Sequence, residues 1–134
     1  MSYSDKTFFL RSISQEDLDR LTGGDDNNLT AKIAVADSEI DSYLKAVIKS
    51  EHLPLTVVPD KVKQLSFDIA MYYLHARSDF ADVPKRIKEL YDNAVEYLKN
   101  VAQSKVQIPG IDASKYANNV IFYSTDGNLI SRKT

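Results

Sequence analysis

Four consecutive oxygen-bearing side chains, Asp25, Asp26, Asn27 and Asn28, follow two glycines in the stretch LTGGDDNNLT and have the chemistry to hold a hard metal ion. A calcium loop of the EF-hand kind needs oxygen ligands at alternating positions, glycine at the sixth and glutamate at the twelfth, because one cation must be ringed from all sides. Counting from Asp25 puts Leu29 at the fifth position, Thr30 at the sixth and Ala36 at the twelfth, so the register fails. The stretch reads instead as punctuation. Gly23 and Gly24 end one helix through the positive φ that glycine adopts cheaply, and Thr30 caps the next.

Other chemistry is sparse. The chain has two histidines and no cysteine, which removes thiolate zinc sites, disulfide frameworks and cysteine nucleophiles. His75 falls beside an apolar stripe and reads as a hydrogen-bonded histidine near a helix end. There is no glycine-rich phosphate loop, GxSxG elbow or HExxH pair. Adjacent acids such as Glu39 and Asp41 read as solvated surface groups rather than catalytic carboxylates, which need a shared cleft. The tyrosines Tyr72, Tyr73, Tyr91 and Tyr97, with Arg77, Lys85, Arg86 and Lys88, could interleave for a single nucleic-acid strand. Asp79, Asp82, Glu89 and Asp92 balance those cations, so tyrosine as core or interface is the better reading. No catalytic residue, metal ligand or cofactor site is expected.

These side chains must be carried by the elements around them. A chain of 134 residues with net charge -2 fits one domain with a core of its own and no global attraction to nucleic acid. No apolar run approaches the roughly eighteen residues of a membrane span, and MSYSDKTFFLRSIS lacks the features of a secretory signal. The expectation is a soluble protein of the compartment that makes it.

Ser14 followed by Asp17 is a capping-box signature and predicts a short helix over 14–22. Ile33, Ala36, Ile40, Tyr43, Leu44 and Val47 predict a second over 30–50, with Lys32, Asp37, Glu39, Asp41 and Lys45 on its wet face. The prolines of HLPLTVVPD predict an extended connection. Val62, Leu65, Ile69, Tyr72, Tyr73 and Ala76, broadened by Phe67, Ala70, Met71 and Leu74, predict a central third helix over 59–78. A fourth starts at Asp82 and frays near Gln103, burying Ile87, Leu90, Tyr91, Ala94, Leu98 and Val101.

After Gly110 two β-prone runs flank Asp126 and Gly127, the strongest short hairpin signal available. The fold class is therefore all-α, a bundle of about four main helices over 1–110, with a C-terminal hairpin or extended arm over 111–134. That tail either folds back on its own helices or pairs with another chain. Val120, Ile121, Phe122, Tyr123, Leu129 and Ile130 have the composition of a partner-binding arm that adds strands to a neighbour.

The order DLDRLTG, EIDSYL, LPLTVVPDKVKQL, FDIAMYYLHAR and RIKELYDNAVEYLKNVAQSKVQIPG resembles a family of small Mu-like prophage proteins, similar to the head–tail connector or head-completion proteins of tailed phages. The resemblance covers residues 14–110, and its most specific pieces are Glu39 to Asp41 with Tyr43 and Leu44, then Leu53 to Leu55 with Pro59, then Asp68 to Ala70 with Tyr72. The N-terminal SYSDKTFFLRSI is more apolar than the family's usual start. The resemblance implies a non-enzymatic helical adaptor whose copies form a ring joining capsid portal to tail, in the bacterial host cytoplasm during assembly and then in the virion. Its implied partners are itself and the phage portal and tail proteins, with no membrane and no nucleic acid. The alternative is a small helical nucleic-acid-binding or regulatory protein with Tyr72, Arg77 and Arg86 on an exposed basic surface. An enzyme with a cleft around His75, Asp79 and Glu51 ranks last.

Overall fold

The computed structural model describes residues 2–76 and 83–117, together with the backbones of 121–123 and 129–131. It is all-α in its body. The four main helices are α2 (Gln15–Thr22), α3 (Asp26–Leu44), α4 (Asp60–Ala76) and α5 (Lys85–Ala102), preceded by a five-residue helix α1 (Lys6–Leu10). The helix α1 was not anticipated. Asp5 caps it by accepting from Phe8 N at 2.8 Å, and Phe9 is buried against the ring of Phe67 at 4.7 Å. Phe9, with the half-buried Phe8, thus anchors the N-terminal segment, while Leu10 is exposed.

The turn between α2 and α3 follows local chemistry. Ser14 Oγ accepts from Asp17 N, and Gly23 and Gly24 take φ of 70° and 78°, ending α2 in the left-handed region. The start of α3 differs from the expected Thr30. Asp25 is the cap, accepting from Asn27 N at 2.9 Å, because its short carboxylate reaches the free amides a turn earlier. The helix also stops short of 50, at Leu44. From there the chain leaves helical geometry so that Val47 and Lys49 can bond the backbone of 115–117, with Ile48 bridging Tyr116. A pairing across some seventy residues of sequence overrides a local period.

The connection to α4 contains a 3-10 turn, Ser50–His52, a cis Leu53–Pro54 bond and the buried Leu55. Helix α4 packs against α2, α3 and α5, and its Val62, Leu65, Ile69 and Ala70 are fully enclosed. Tyr72 and Tyr73 are half-buried and Ala76 is exposed, so the buried stripe runs through Ser66, Phe67, Met71 and Leu74 instead. Helix α5 begins after Pro84 and buries Ala94, Leu98 and Val101, while Ile87, Leu90 and Tyr91 lie at its half-covered edges. Asp82 and the segment 77–82 lie outside the described residues.

Past α5 the chain turns back across the end of the bundle where α3 stops and α4 starts. Gly110 has φ 93°, which favours glycine, and a Cβ there would come within 3.1 Å of Pro59 Cβ, a tight approach. Tyr116 is buried and its hydroxyl accepts from Ile108 N at 3.2 Å. The body therefore extends to Ala117, seven residues past the boundary expected at 110. Strands β1 (Ile121–Tyr123) and β2 (Leu129–Ser131) pair antiparallel, Phe122 opposite Ile130 and Tyr123 opposite Leu129. The turn 124–128, with Asp126 and Gly127, lies outside the described residues.

Candidate assembly surfaces

The N-terminal segment is clasped by side chains of α3 and α4 and by the backbone of the connection between them. Tyr3 N donates to Asp37 Oδ2 at 2.8 Å, and Tyr3 Oη donates to Asp41 Oδ1 at 2.5 Å while accepting from Leu55 N at 2.9 Å. Ser66 Oγ of α4 donates to Asp37 Oδ1, and Ser4 Oγ lies 2.7 Å from Ser66 Oγ. Asp37 and Asp41 are one turn apart on α3, which puts both carboxylates on the same side to face one tyrosine. Burial raises both above the ordinary aspartate range, opposed by the bonds they accept. Burial, and then the bond to Asp41, push the Tyr3 phenol well above its usual value, so it stays a neutral donor.

A second polar node joins the three long helices. Tyr73 Oη of α4 and Tyr91 Oη of α5 each donate to Glu39 Oε1 of α3 at 3.1 Å. Burial is the first cause raising both phenols. Tyr72 stacks on Tyr91 with centroids 4.1 Å apart, and Lys88, bonded to Asp92, lies 5.8 Å and 5.7 Å from those two rings. The aromatic faces that a nucleic-acid strand would need are turned onto one another, and Arg77 lies outside the described residues. Glu39 and Asp41, read as solvated acids from sequence, are instead half-buried structural acceptors.

The remaining candidates for chemistry are also engaged. Asp26 pairs with Lys6 at 3.2 Å, and Asn28 Nδ2 donates to Thr22 O, so the acidic turn is tied into the ends of α2 and α3. Among the described residues no group of three or more His, Asp or Glu could hold a metal ion. His75 Nδ1 sits 2.9 Å from Met71 O, at the wall of a shallow cavity of about 360 Å³ floored by Ile13, Leu21, Met71 and Ile87. Glu51 lies 3.3 Å from His52, beyond the opposite end of α4, roughly 20 Å away along a helix of that length. Asp79 is outside the described residues.

The outer faces of the long helices differ in kind. That of α5 carries Lys85, Arg86, Glu89, Asp92, Glu96 and Lys99, the expected wet face. The exposed face of α3 carries Ala31, Ala34, Val35, Ser38 and Ser42, with Val35 45% exposed. Of its charged residues Asp37, Glu39 and Asp41 are half-buried where the clasp and the tyrosines reach them, Lys32 is half-buried and Asp26 is exposed. Of the expected interface residues, Val120 lies outside the described residues. The backbones of Ile121, Phe122, Tyr123, Leu129 and Ile130 form the strand pair, and their side chains are likewise outside the description.

Residues 3–120 match the bacteriophage Mu Gp36 sequence family, a span that takes in the clasp, all five helices and the return segment. The chain belongs to the bacteriophage Mu Gp36 family. It is also 30% identical over 116 residues to gene product J of Escherichia phage Mu, a match covering 82% of this chain and 77% of that protein. The likeness thus starts earlier than the 14–110 legible in the motifs and includes the N-terminal segment that looked divergent. No helix among the described residues of this Gp36-family chain is long and apolar enough to cross a membrane.

Proposed function

We propose that this Gp36-family protein is a non-enzymatic structural adaptor of a tailed phage or prophage, an oligomeric ring joining capsid portal to tail. Its observational support is the family match over 3–120 combined with the employment of the polar side chains. The half-buried acids and the tyrosines that could serve chemistry hold the segments together, Tyr3 to Asp37 and Asp41, and Tyr73 and Tyr91 to Glu39. A small bundle whose polar side chains join its helices can present fixed surfaces to unlike neighbours, and a strand pair can extend a partner's sheet through main-chain bonds.

The reading is tested in an induced lysogen carrying a deletion of this gene. Full heads and complete tails accumulating unjoined, with infectivity restored by the wild-type gene and the protein present in purified particles, is the expected result. Normal joined particles, or a block before DNA packaging, overturns it.

A further inference from the structure

Charge is unevenly placed on this bundle. Residues 16–26, spanning α2 and the start of α3, carry Glu16, Asp17, Asp19, Asp25 and Asp26 against the single Arg20. At the other end of α3, about 27 Å away for a helix of its length, the balance reverses. There the segments 45–63 and 99–115 carry seven lysines against Glu51, Asp60 and Asp112. Those segments form one end of the molecule: Lys49 N bonds Lys115 O at 3.0 Å, Ala117 N bonds Val47 O at 2.8 Å, and Gly110 lies against Pro59. None of these lysines is in an ion pair among the described residues, whereas Glu51 is turned to His52 and Asp112 caps the 3-10 turn at 113–115. At the acidic corner Lys6 engages Asp26 and Arg20 engages Asp17, and among the described residues Glu16, Asp19 and Asp25 are paired with no cation.

We propose that copies of this protein associate head to tail, the lysine end of one chain docking on the acidic α2–α3 corner of the next. The complement of each end is carried by the chain itself, which favours a second copy over any other occupant. Such a contact is heterologous: it uses two different surfaces of each copy, and repetition closes a ring when the rotation between copies divides a full turn. Opposite fields at the two ends steer encounter and set which faces meet. The inference rests on the adaptor reading for its purpose only, since it concerns the purified chain without heads or tails and can fail while that reading stands.

The test is sedimentation velocity of the full chain at high protein concentration, in about 0.05 M and about 1 M salt, where screening shortens from beyond 10 Å to about 3 Å. Wild type is expected to self-associate at low salt and to weaken at least about tenfold at high salt. The variant Lys45→Glu, Lys49→Glu, Lys105→Glu has two acidic ends, and Glu16→Lys, Asp19→Lys, Asp26→Lys has two basic ones. Each alone should be monomeric with an unchanged helical spectrum, and mixing them should restore assembly. A wild type that stays monomeric at low salt, or associates equally at both salts, overturns the proposal without reference to any variant. So does a mixture that fails to assemble. A monomeric wild type that binds a DNA duplex, with binding abolished by the lysine reversals, would assign that end to nucleic acid instead.

Discussion

Replacing Tyr3 with Phe removes one oxygen from a side chain that is 2% exposed, and nearly all of the consequence falls on two partners. Leu55 N, which donates to that oxygen at 2.9 Å, is left buried without an acceptor, at a cost of about 1–3 kcal/mol. Asp41 loses a donor to a carboxylate, a bond of the charge-assisted kind worth about 1.5–3 kcal/mol, though its half-exposure lets water replace part of it. The ring stays and no cavity opens, so the expected destabilisation is about 2–4 kcal/mol, a large share of the roughly 5–15 kcal/mol that holds a domain together. Urea denaturation of wild type, Tyr3→Phe, Asp41→Asn and the double variant measures it, with a coupling of about 1–2 kcal/mol expected between the two sites.

The same clasp has a pH signature. Burial raises Asp37 and Asp41 above the ordinary aspartate value of 3.8, so folding favours their protonated forms. Their contribution to stability is complete below that value and is lost as pH rises through the raised folded pKa values. Asp41→Asn should flatten that part of the stability profile. Hydrogen exchange at the Leu55 amide should accelerate in Tyr3→Phe ahead of the α4 amides. A Tyr3→Phe midpoint within about 0.5 kcal/mol of wild type, or effects of Tyr3 and Asp41 that simply add, would refute the claim that the N-terminal segment is part of the cooperative fold.

Ile69→Ala deletes a fully enclosed side chain at the centre of α4 and should cost about 2–5 kcal/mol by denaturation, whereas an unchanged midpoint would move that face to the surface. Asp25→Ala should cost about 1 kcal/mol through loss of the α3 cap, and calorimetry of the wild type with calcium, magnesium or zinc should show nothing tighter than millimolar. A chain ending at Ala117 should keep its helical circular dichroism and cooperative melting while losing partner binding through the strand pair; one ending at Gly110 should also lose stability, because it removes the buried Tyr116.

Where a helix was decided by its own neighbours the sequence was mostly enough, the exception being the α3 cap, which is Asp25 and not Thr30. The Ser14 cap and the Gly23 stop depend on residues within a turn or two and appear as read, and the helical period of α4 and α5 places both helices, although Tyr72, Tyr73, Ile87, Leu90 and Tyr91 are half-covered and Ala76 is exposed. Two further errors came from distance. Nothing within five residues of Leu44 says that α3 must stop there, because the cause is Tyr116. Nothing near Glu39 shows that its carboxylate meets Tyr73 and Tyr91, 34 and 52 residues on. Helix α1 was legible in principle, since Asp5 three residues before Phe8 is a cap signal, but five residues have too little period to recognise. The partner-binding role given to the strand residues rests on composition, and the described structure carries only their backbone register.

The clasp and the charge distribution belong to one argument. Tyr3 reaches Asp41 and Leu55 near the lysine end, while Lys6, three residues later, reaches Asp26 at the acidic corner. The N-terminal segment therefore runs along α3 opposite to its direction and ties the two charged ends to each other. It does so through a phenol that burial holds above its usual pKa as a neutral donor, and through carboxylates that accept from the Tyr3 amide and hydroxyl. A body braced end to end can transmit a fixed orientation from one contact to the next, which a loose one cannot. In an adaptor of repeated copies that property decides whether head-to-tail contacts close on themselves or wander into open filaments, because closure depends on every copy imposing the same rotation.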